Sequence, residues 1–574
     1  MDHFQSPTDR LRRRPHRRRV RAAALLAAVV AVTTLPNLSA SAQPLDDRPS
    51  TTSAPAQPIP ANDPNSGQVA GAGVPAPQQL DKALTAALGP ATDTRITGPI
   101  KVTATSYPFG AANHTKIPEN LAAIGYVEEE YFVSGLANVY TWPAPGPAKV
   151  RTANAPYTTR ILVRRPAKVS KYSGTVIVEP LNPSNLFDLN LGWGLMHDQI
   201  VRDGDVWVGV TVKPVSMQTL KKFDPVRYAP LSMDNPLPLS DPNNCKTYPD
   251  GKALPGDTER TTENGLAWDI YSQVGQLLRG KTAKNPVYYG GKKPKQAFKE
   301  YGFGYSQTGG YMYDYINGVA PLANAQAGRN IYDAYIVAVA GGAFAGIYPI
   351  NQCEPIPPVT DPRLQFSNVG VPIIHVMSQS DYLLGITARR PDSDVPSDAY
   401  RQYEMAGAAH ATPGELNFAA APADIVKGGR EVPPSSCNEG PRSRFPSSIF
   451  FDAYLRNLDQ WVRKGIAPPH GSPIVVQNGA PVLDRWGNVV GGLRSPYVDV
   501  PTSTWYGSST GASFCFIAGH EVPFSTALLR QIYPTHAAYV KAVTKDVRLL
   551  VQQGFITDYD GRMLVKEAQA ADIP

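Results

Sequence analysis

The feature that most constrains the fold is a regular alternation of strand-like and helix-like segments through the middle of the 574-residue chain. The apolar run SGTVIVEPL is followed by LGWGLMHDQIVRDG, which has helical periodicity and ends on a glycine. DVWVGVTV and GLAWDIYSQVGQLLRG repeat the pattern. Continuous apolar strands separated by helices are typical of a parallel sheet covered on both faces. The sequence therefore predicts an α/β fold with a mostly parallel central sheet and helices on both faces.

Segments on either side of this region extend the predicted domain. YVEEEYFVSGLANVYTW and YTTRILVRRP are rich in Thr, Val and Tyr, which predicts strands at the N-terminal side. Residues 224–264 interrupt the alternation with prolines and polar groups, and such an insertion is often a lid or pocket wall. Helical and hairpin patterns over 440–574 predict a C-terminal extension. We therefore expect one domain over residues 80–574.

The N-terminus has the pattern of an export signal over residues 1–42. A basic segment, RLRRRPHRRRVR, precedes an apolar run of about 14 residues, which is short for a membrane span. Ala40 and Ala42 then form an A-x-A-like cleavage site. We expect a secreted protein without a stable membrane span, and an uncleaved anchor is the alternative. Residues 43–79, rich in Pro, Ala, Ser and Gly without aromatics, predict a disordered linker.

The net charge of the chain is concentrated in the predicted signal. Residues 1–42 contain eight arginines and two aspartates, and they account for about +6 of the formal charge of +7. The remaining protein is nearly neutral, so the basic isoelectric point does not indicate a nucleic-acid partner.

Four cysteines follow the predicted signal, and an even number in an exported chain predicts two disulfides. No two of them form a CxxC pair, so we expect neither a zinc site nor a redox site. Of the three possible connectivities, we favour one that pairs Cys353 with Cys437, because these residues lie in loops that flank the candidate active-site segments. The other two cysteines are Cys245 and Cys515.

Ser306 lies in YGFGYSQTGG, between a strand-like and a helix-like segment. A nucleophilic serine on a strand–turn–helix elbow needs small flanking residues, because the strand and helix backbones nearly touch there. Gly304 meets this requirement, whereas Thr308 stands where G-x-S-x-G has its second glycine. The motif alone is a weak signal, since serines in glycine-rich turns are common, but the strand before Ser306 and the helix after it predict that Ser306 is a nucleophile.

A serine hydroxyl needs a base to take its proton, and in α/β-hydrolases the acid and then the histidine follow the serine along the chain. Five histidines follow Ser306. His410 comes just after the last predicted strand, where a loop brings the imidazole to the serine, and we predict that it is the base. We expect structural or surface positions for the other four, which are His375, His470, His520 and His536.

The carboxylate that orients the imidazole is expected after the preceding strand. VPIIHVMSQSD places Asp381 just beyond an apolar strand, and we predict that it is the acid. Glu404, inside the last strand, is the alternative acid, and it could instead be a structural carboxylate paired with an arginine. Two further candidates are Asp392 and Asp394.

An acyl-transfer site also needs backbone N–H donors for the oxyanion. We predict that one is the amide of Gln307, at the start of the helix, and that the other comes from the loop EPLNPSNLFD. Pro183 has no N–H, so Leu181 or Asn182 is the expected second donor.

The chain resembles bacterial α/β-hydrolase domain proteins, many of which are exported. GTVIVEPLNPSN, GYSQTGG, VPIIHVMSQSD and YEMAGAAH carry the resemblance, which extends from near residue 98 almost to the C-terminus. It implies an α/β-hydrolase fold with Ser306, Asp381 and His410 as the triad, and a motif that tolerates the threonine after S-Q. Gln379 departs from the family, which often has an acidic residue two positions before the acid, and Asp381 is thus the only carboxylate in MSQSD.

These features predict a secreted serine hydrolase that cleaves a carboxylic ester, or an amide, through an acyl-enzyme on Ser306. We expect a small-molecule substrate and no metal or organic cofactor. An acyltransferase with the same triad and a non-catalytic binding protein with this fold are the alternatives. The nearby aromatic residues are compatible with a pocket lining or with packing, and they are Trp193, Tyr305, Tyr311 and Tyr313.

Overall fold

A computed structural model describes residues 94–245, 260–341, 350–355, 357–358, 360–381 and 389–574. The expected signal over 1–42 and the expected linker over 43–79 lie outside these residues. The residues from Gln79 onward form one compact unit. Within the described ranges, none of the helices is both long and apolar enough to cross a membrane.

Nine strands of the described chain form one sheet in the order β1-β2-β3-β5-β4-β6-β7-β8-β9. The strands are β1 (Arg95–Thr97), β2 (Tyr126–Thr141), β3 (Lys149–Pro166), β4 (Thr175–Pro180), β5 (Val206–Val210), β6 (Lys299–Tyr305), β7 (Ala334–Ala338), β8 (Ile373–Ser378) and β9 (Tyr400–Met405). The pairs from β5-β4 through β8-β9 are parallel, and β1-β2, β2-β3 and β3-β5 are antiparallel. The prediction of a mostly parallel sheet with additional N-terminal strands is confirmed.

Helices connect the strands and follow them to the C-terminus. They are α1 (Leu191–Asp203), α2 (Pro214–Phe223), α3 (Ala267–Leu278), α4 (Gln307–Tyr313), α5 (Ala320–Ala327), α6 (Pro413–Leu416), α7 (Pro422–Lys427), α8 (Ser448–Lys464), α9 (Pro496–Asp499), α10 (Thr526–Ile532), α11 (His536–Gln553) and α12 (Asp558–Ala570). A π-helical segment, Asp314–Val319, joins α4 to α5. Three short antiparallel pairs also occur after β9: β10 (Ser436–Cys437) with β11 (Gly440–Pro441), β12 (Val476–Gln477) with β13 (Ala480–Pro481), and β14 (Ser503–Tyr506) with β15 (His520–Pro523).

The order of the strands puts helices on both faces and creates a switch point. The chain moves from β4 through α1 to β5 on one side, and then returns through α3 to β6 on the other side of β4. Crossover connections between parallel strands are right-handed as a rule, so two connections that run in opposite directions across the sheet place α1 and α3 on opposite faces. Helix α8 packs against α1. Ligands of open α/β sheets bind at the carboxyl ends of strands near such a reversal.

The two disulfides pair Cys245 with Cys353 and Cys437 with Cys515, so the predicted pairing of Cys353 with Cys437 is wrong. Cys245, in the described first part of the insertion, lies beside the segment that contains Cys353, where the Gln352 side chain donates to the carbonyl of Cys245 at 2.8 Å. Cys437 lies in the β10–β11 hairpin, which contacts the chain near Cys515 in the C-terminal extension. Proximity of the loops to the active-site segments did not reveal these tertiary contacts.

A buried ion network fixes the loop after β4 to the antiparallel end of the sheet. Arg160, in the middle of β3, donates to Glu130 at 2.9 Å and to Asp188 at 2.9 Å, and all three side chains are almost completely buried. Arg227 donates to the second oxygen of Glu130 at 2.6 Å. Asp188 also accepts from the hydroxyl of Thr211. Two positive and two negative charges therefore compensate one another at positions where the side chains are shielded from solvent.

We expect Arg160→Leu to lower the free energy of unfolding by about 3–5 kcal/mol, because Asp188 would stay buried without its arginine. Arg562→Ala is the control, since Arg562 and Asp558 form an exposed pair on α12 and such pairs contribute little. Urea unfolding of the three proteins measures the difference. Equal, small losses in both variants would show that the buried network is not important for stability.

Candidate active site

Ser306 occupies a strained turn between β6 and α4. Its backbone angles are φ 56° and ψ −119°, a region that non-glycine residues rarely adopt. The amide of Ser306 donates to the carbonyl of Ala338 on β7 at 2.9 Å, and its carbonyl accepts from Gly310 at 2.9 Å. These bonds anchor the backbone on both sides of the turn, so the structure around the serine maintains the strain.

Glycines allow the close contacts that this turn requires. A Cβ atom at Gly304 would lie 2.4 Å from the carbonyl oxygen of Thr308, and one at Gly309 would lie 2.6 Å from that of Ala338. The Thr308 hydroxyl accepts from the amide of Tyr305 and donates to its carbonyl, both at 3.1 Å. Threonine therefore fits at its position because Gly309, one residue later, makes the close approach to the neighbouring strand.

Ser306, His410 and Asp381 form a continuous hydrogen-bonded chain. The Nε2 atom of His410 lies 2.6 Å from Ser306 Oγ, and its Nδ1 atom lies 2.6 Å from Asp381 Oδ1. The side chains of His410 and Asp381 are only 3% and 2% exposed. The other carboxylate oxygen accepts from the amide of Ser378 at 3.1 Å and from its hydroxyl at 2.5 Å. Both oxygens of Asp381 are therefore held in place.

The backbone of His410 is fixed by contacts that the sequence analysis did not predict. Its amide donates to the carbonyl of Ile517 at 3.1 Å and to the hydroxyl of Ser380 at 3.0 Å. The phenol of Tyr305 donates to its carbonyl. Ile517 comes from the C-terminal extension, which thus contributes to the site. The serines of MSQSD were a visible signal for part of this support.

The other candidate acids are engaged elsewhere. Glu404 accepts from Arg389 at 2.5 and 2.7 Å and from the amide of Ile474 at 2.8 Å, which is the structural pairing considered as its alternative role. Asp392 contacts the ring of His470, and Asp394 accepts a hydrogen bond from Arg401.

The other candidate histidines also have different partners. His375 is buried in β8, where its ring nitrogens lie 2.8 Å from the hydroxyl of Tyr400 and 2.7 Å from the carbonyl of Ala340. Burial lowers the pKa of His375 to about 4, so this imidazole is neutral at ordinary pH. The other three histidines also have partners. His470 contacts Asp392, His520 contacts Ser509, and His536 contacts Ile573.

The amide of Gln307 is available for an oxyanion, whereas those of Leu181 and Asn182 are not. Gln307 begins α4, where no carbonyl of the helix accepts from its N–H. Leu181 donates to the carbonyl of Val210 at 2.8 Å, and Asn182 donates to that of Leu189 at 2.9 Å. The prediction of Leu181 or Asn182 as donor is therefore wrong, because the sheet ladder and a bridge across the loop use these two N–H groups.

The loop after β4 nevertheless contacts the serine turn. The hydroxyl of Ser184 donates to the side-chain oxygen of Gln307 at 2.9 Å. Among residues 181–186, Asn185 has the one amide N–H without an acceptor in the described part of the chain. Ser184 donates its amide N–H to Asn182 Oδ1, and Leu186 donates its amide N–H to the carbonyl of Pro183. Pro183 itself has no N–H.

The aromatic residues considered as a pocket lining are all buried. Trp193 packs against Trp207, and Tyr311 packs edge-to-face against Trp268. These rings therefore pack in the core around the site. Across the described ranges, no group of three or more His, Cys, Asp or Glu side chains is arranged to hold a metal ion.

Glu415 is a buried carboxyl group close to His410. Its Oε2 atom accepts from the amide of Thr412 at 3.0 Å and from the hydroxyl of the same residue, which forms a capping box at the start of α6. Its Oε1 atom has no partner among the described residues. Burial raises the pKa of Glu415 from 4.5 to about 7, although the bonds from Thr412 and the charge of His410 oppose this shift. The folded protein therefore retains a proton that the unfolded chain releases.

This proton predicts a pH dependence of stability. The contribution of Glu415 is complete below about pH 4.5 and is lost as the pH rises through about 7. Glu415→Gln keeps a neutral acceptor, so the free energy of unfolding should fall less between about pH 5 and about pH 8 in the variant than in the wild type. Urea unfolding at both pH values measures this difference. An identical fall in the two proteins would contradict the assignment.

The alpha/beta hydrolase domain family model matches residues 96–566. The chain therefore belongs to this family, as the order of its strands and the serine turn after β6 indicate. A comparison with curated proteins found no significant match.

Solved structures of three esterases are among those similar to this chain. A thermostable esterase from Pseudomonas putida ECU1011 has 12% identity and a TM-score of 0.30, with 62% of this chain and 87% of that chain covered. A CE15 glucuronoyl esterase from Teredinibacter turnerae T7901 has 13% identity, a TM-score of 0.24, and coverage of 59% and 78%. The methylesterase BT1017 has 11% identity, a TM-score of 0.22, and coverage of 44% and 42%, so the match spans less than half of that protein.

Proposed function

We propose that this protein is a serine hydrolase that cleaves carboxylic esters through an acyl-enzyme on Ser306. The observation that carries the proposal is the hydrogen-bonded chain from Ser306 Oγ through His410 to Asp381, with both donor–acceptor distances at 2.6 Å. A nucleophile, a base and a group that orients the base together activate a serine hydroxyl. The strained serine turn adds support, because strain of this kind occurs at functional sites.

In the proposed mechanism, Ser306 Oγ attacks the ester carbonyl while His410 Nε2 takes its proton. Asp381 holds the imidazole with Nδ1 protonated and stabilises the imidazolium that forms. The tetrahedral intermediate collapses, and His410 returns the proton to the departing alkoxide, which leaves as the alcohol. Water then attacks the acyl-enzyme, with His410 again as base, and the acid and free Ser306 are released.

We assign the oxyanion donors to the amides of Gln307 and Asn185. Gln307 lies at the positive end of the α4 dipole, which favours the developing negative charge. Asn185 replaces Leu181 and Asn182 in this role because its N–H is without an acceptor in the described loop. The bond from the Ser184 hydroxyl to the Gln307 side chain links the loop that contains Asn185 to the start of α4.

We also propose that the protein is exported through the segment over 1–42. The basic and apolar runs of this segment support the proposal. The two disulfides add support, because disulfides form and persist in oxidising compartments.

The test of the proposed function is hydrolysis of a panel of esters and amides by the wild type, Ser306→Ala and Ser509→Ala. Ser509 is the matched control, since its hydroxyl also contacts a histidine, His520, at 3.0 Å. We expect Ser306→Ala to lose at least about 10³-fold in kcat/KM. Ser509→Ala should retain the wild-type rate, and a fluorophosphonate should label both proteins that keep Ser306.

Each alternative gives a different result. A non-catalytic binding protein would not react with the fluorophosphonate and would turn over no ester. An acyltransferase would form more transferred ester and less acid as an acceptor alcohol is added. Undiminished turnover in Ser306→Ala would refute the nucleophile assignment.

A further inference from the structure

A cleft of about 170 Å³ is lined in part by residues that follow Asn185 and His410 closely in the chain. Phe187 and Leu189 form one wall and belong to the loop that carries the proposed oxyanion donor. Pro413 and Leu416, on the helix that follows His410, form another. Arg442 lines the cleft as well. The segments that supply the base and the oxyanion donor therefore also build this cleft.

Arg442 differs from the other buried arginines of the described chain. It is 7% exposed, and its Nε and Nη2 atoms have no hydrogen-bond partner among the described residues. Burial lowers its pKa, and no acidic residue opposes the effect. The remaining buried arginines each form an ion pair with a carboxylate, and they are Arg160, Arg164, Arg227 and Arg401.

An unpaired buried guanidinium favours an anionic ligand. The side chain stays protonated at all physiological pH values, so it cannot avoid the unfavourable burial by losing its charge. A guanidinium suits a carboxylate because its N–H groups donate charge-assisted hydrogen bonds to anionic oxygens. Lys116, an exposed cation that also lines the cleft, adds to the positive charge.

The rest of the lining selects for an apolar group next to that anion. Ile425, Val432 and two prolines, Pro433 and Pro434, join the leucines and Phe187 in the lining. A cavity of about 150 Å³ with apolar walls admits benzene, so the cleft has room for a ring or a short alkyl chain.

We propose that this cleft binds a carboxylate-bearing apolar part of the ester substrate, with the carboxylate on Arg442. The inference rests on the proposed function and deepens it: the substrate is an ester that retains a free carboxylate in its acyl or its alcohol half. Arg442 is then a specificity residue and takes no part in bond breaking.

The test compares three esters of matched size. Para-nitrophenyl pentanoate is neutral, mono-para-nitrophenyl glutarate carries the carboxylate in the acyl half, and meta-carboxyphenyl pentanoate carries it in the alcohol half. The wild type should prefer one of the acidic esters. Arg442→Gln should lower kcat/KM for that ester about tenfold to one hundredfold, mainly through KM, and should change the neutral ester less than about twofold.

Arg444→Gln is the matched control, because Arg444 lies two residues away, is 68% exposed and pairs with Glu521. It should leave all three rates unchanged. A second readout is thermal unfolding with glutarate or benzoate, which should stabilise the wild type and not Arg442→Gln.

The outcomes separate the two proposals. If the wild type hydrolyses the neutral ester through Ser306 but Arg442→Gln affects all three esters equally, the substrate inference is overturned and the proposed function stands. Absence of a preference for either acidic ester overturns it as well. If none of the esters is cleaved in a Ser306-dependent way, the proposed function itself fails.

Discussion

The contact between Ser306 Oγ and His410 Nε2, at 2.6 Å, is the interaction on which the account depends. An ordinary serine hydroxyl is a weak nucleophile, and a base within hydrogen-bond distance activates it by taking its proton. The contact exists because two remote segments are held rigidly. The serine is fixed by a turn with positive φ, and the histidine by backbone bonds to Ile517 and Ser380.

Elements progressively farther from Ser306 hold this contact in place. Parallel strands bring the residues after β6, β8 and β9 to one edge of the sheet, so residues far apart in sequence meet there. The loop after β4 joins them through the bond between Ser184 and Gln307. At its far end the same loop is fixed by the ion pair between Asp188 and Arg160. A charge network in the antiparallel part of the sheet thus stabilises a loop at the proposed active site.

The sequence predicted what depends on local pattern and chain order. The sheet, the serine turn, and the positions of Asp381 and His410 after consecutive strands follow from periodicity and from where parallel strands end. It did not predict that the amide N–H groups of Leu181 and Asn182 donate to the carbonyls of Val210 and Leu189. The second oxyanion donor was therefore assigned to Leu181 or Asn182. The cysteine pairing failed for the same kind of reason, since it depends on where the insertion and the extension return. The unpaired state of Arg442 is likewise a tertiary property.

The most direct test of the central claim is the mass of the peptide that contains Ser306 after rapid quenching of the protein with a slowly deacylated ester. The account predicts one acyl group on Ser306 in the wild type. In a His410→Ala variant this acylation should be slower by orders of magnitude, because the serine has lost its base. Hydrolysis without any acyl group on that peptide, or with the group on another residue, would contradict the account.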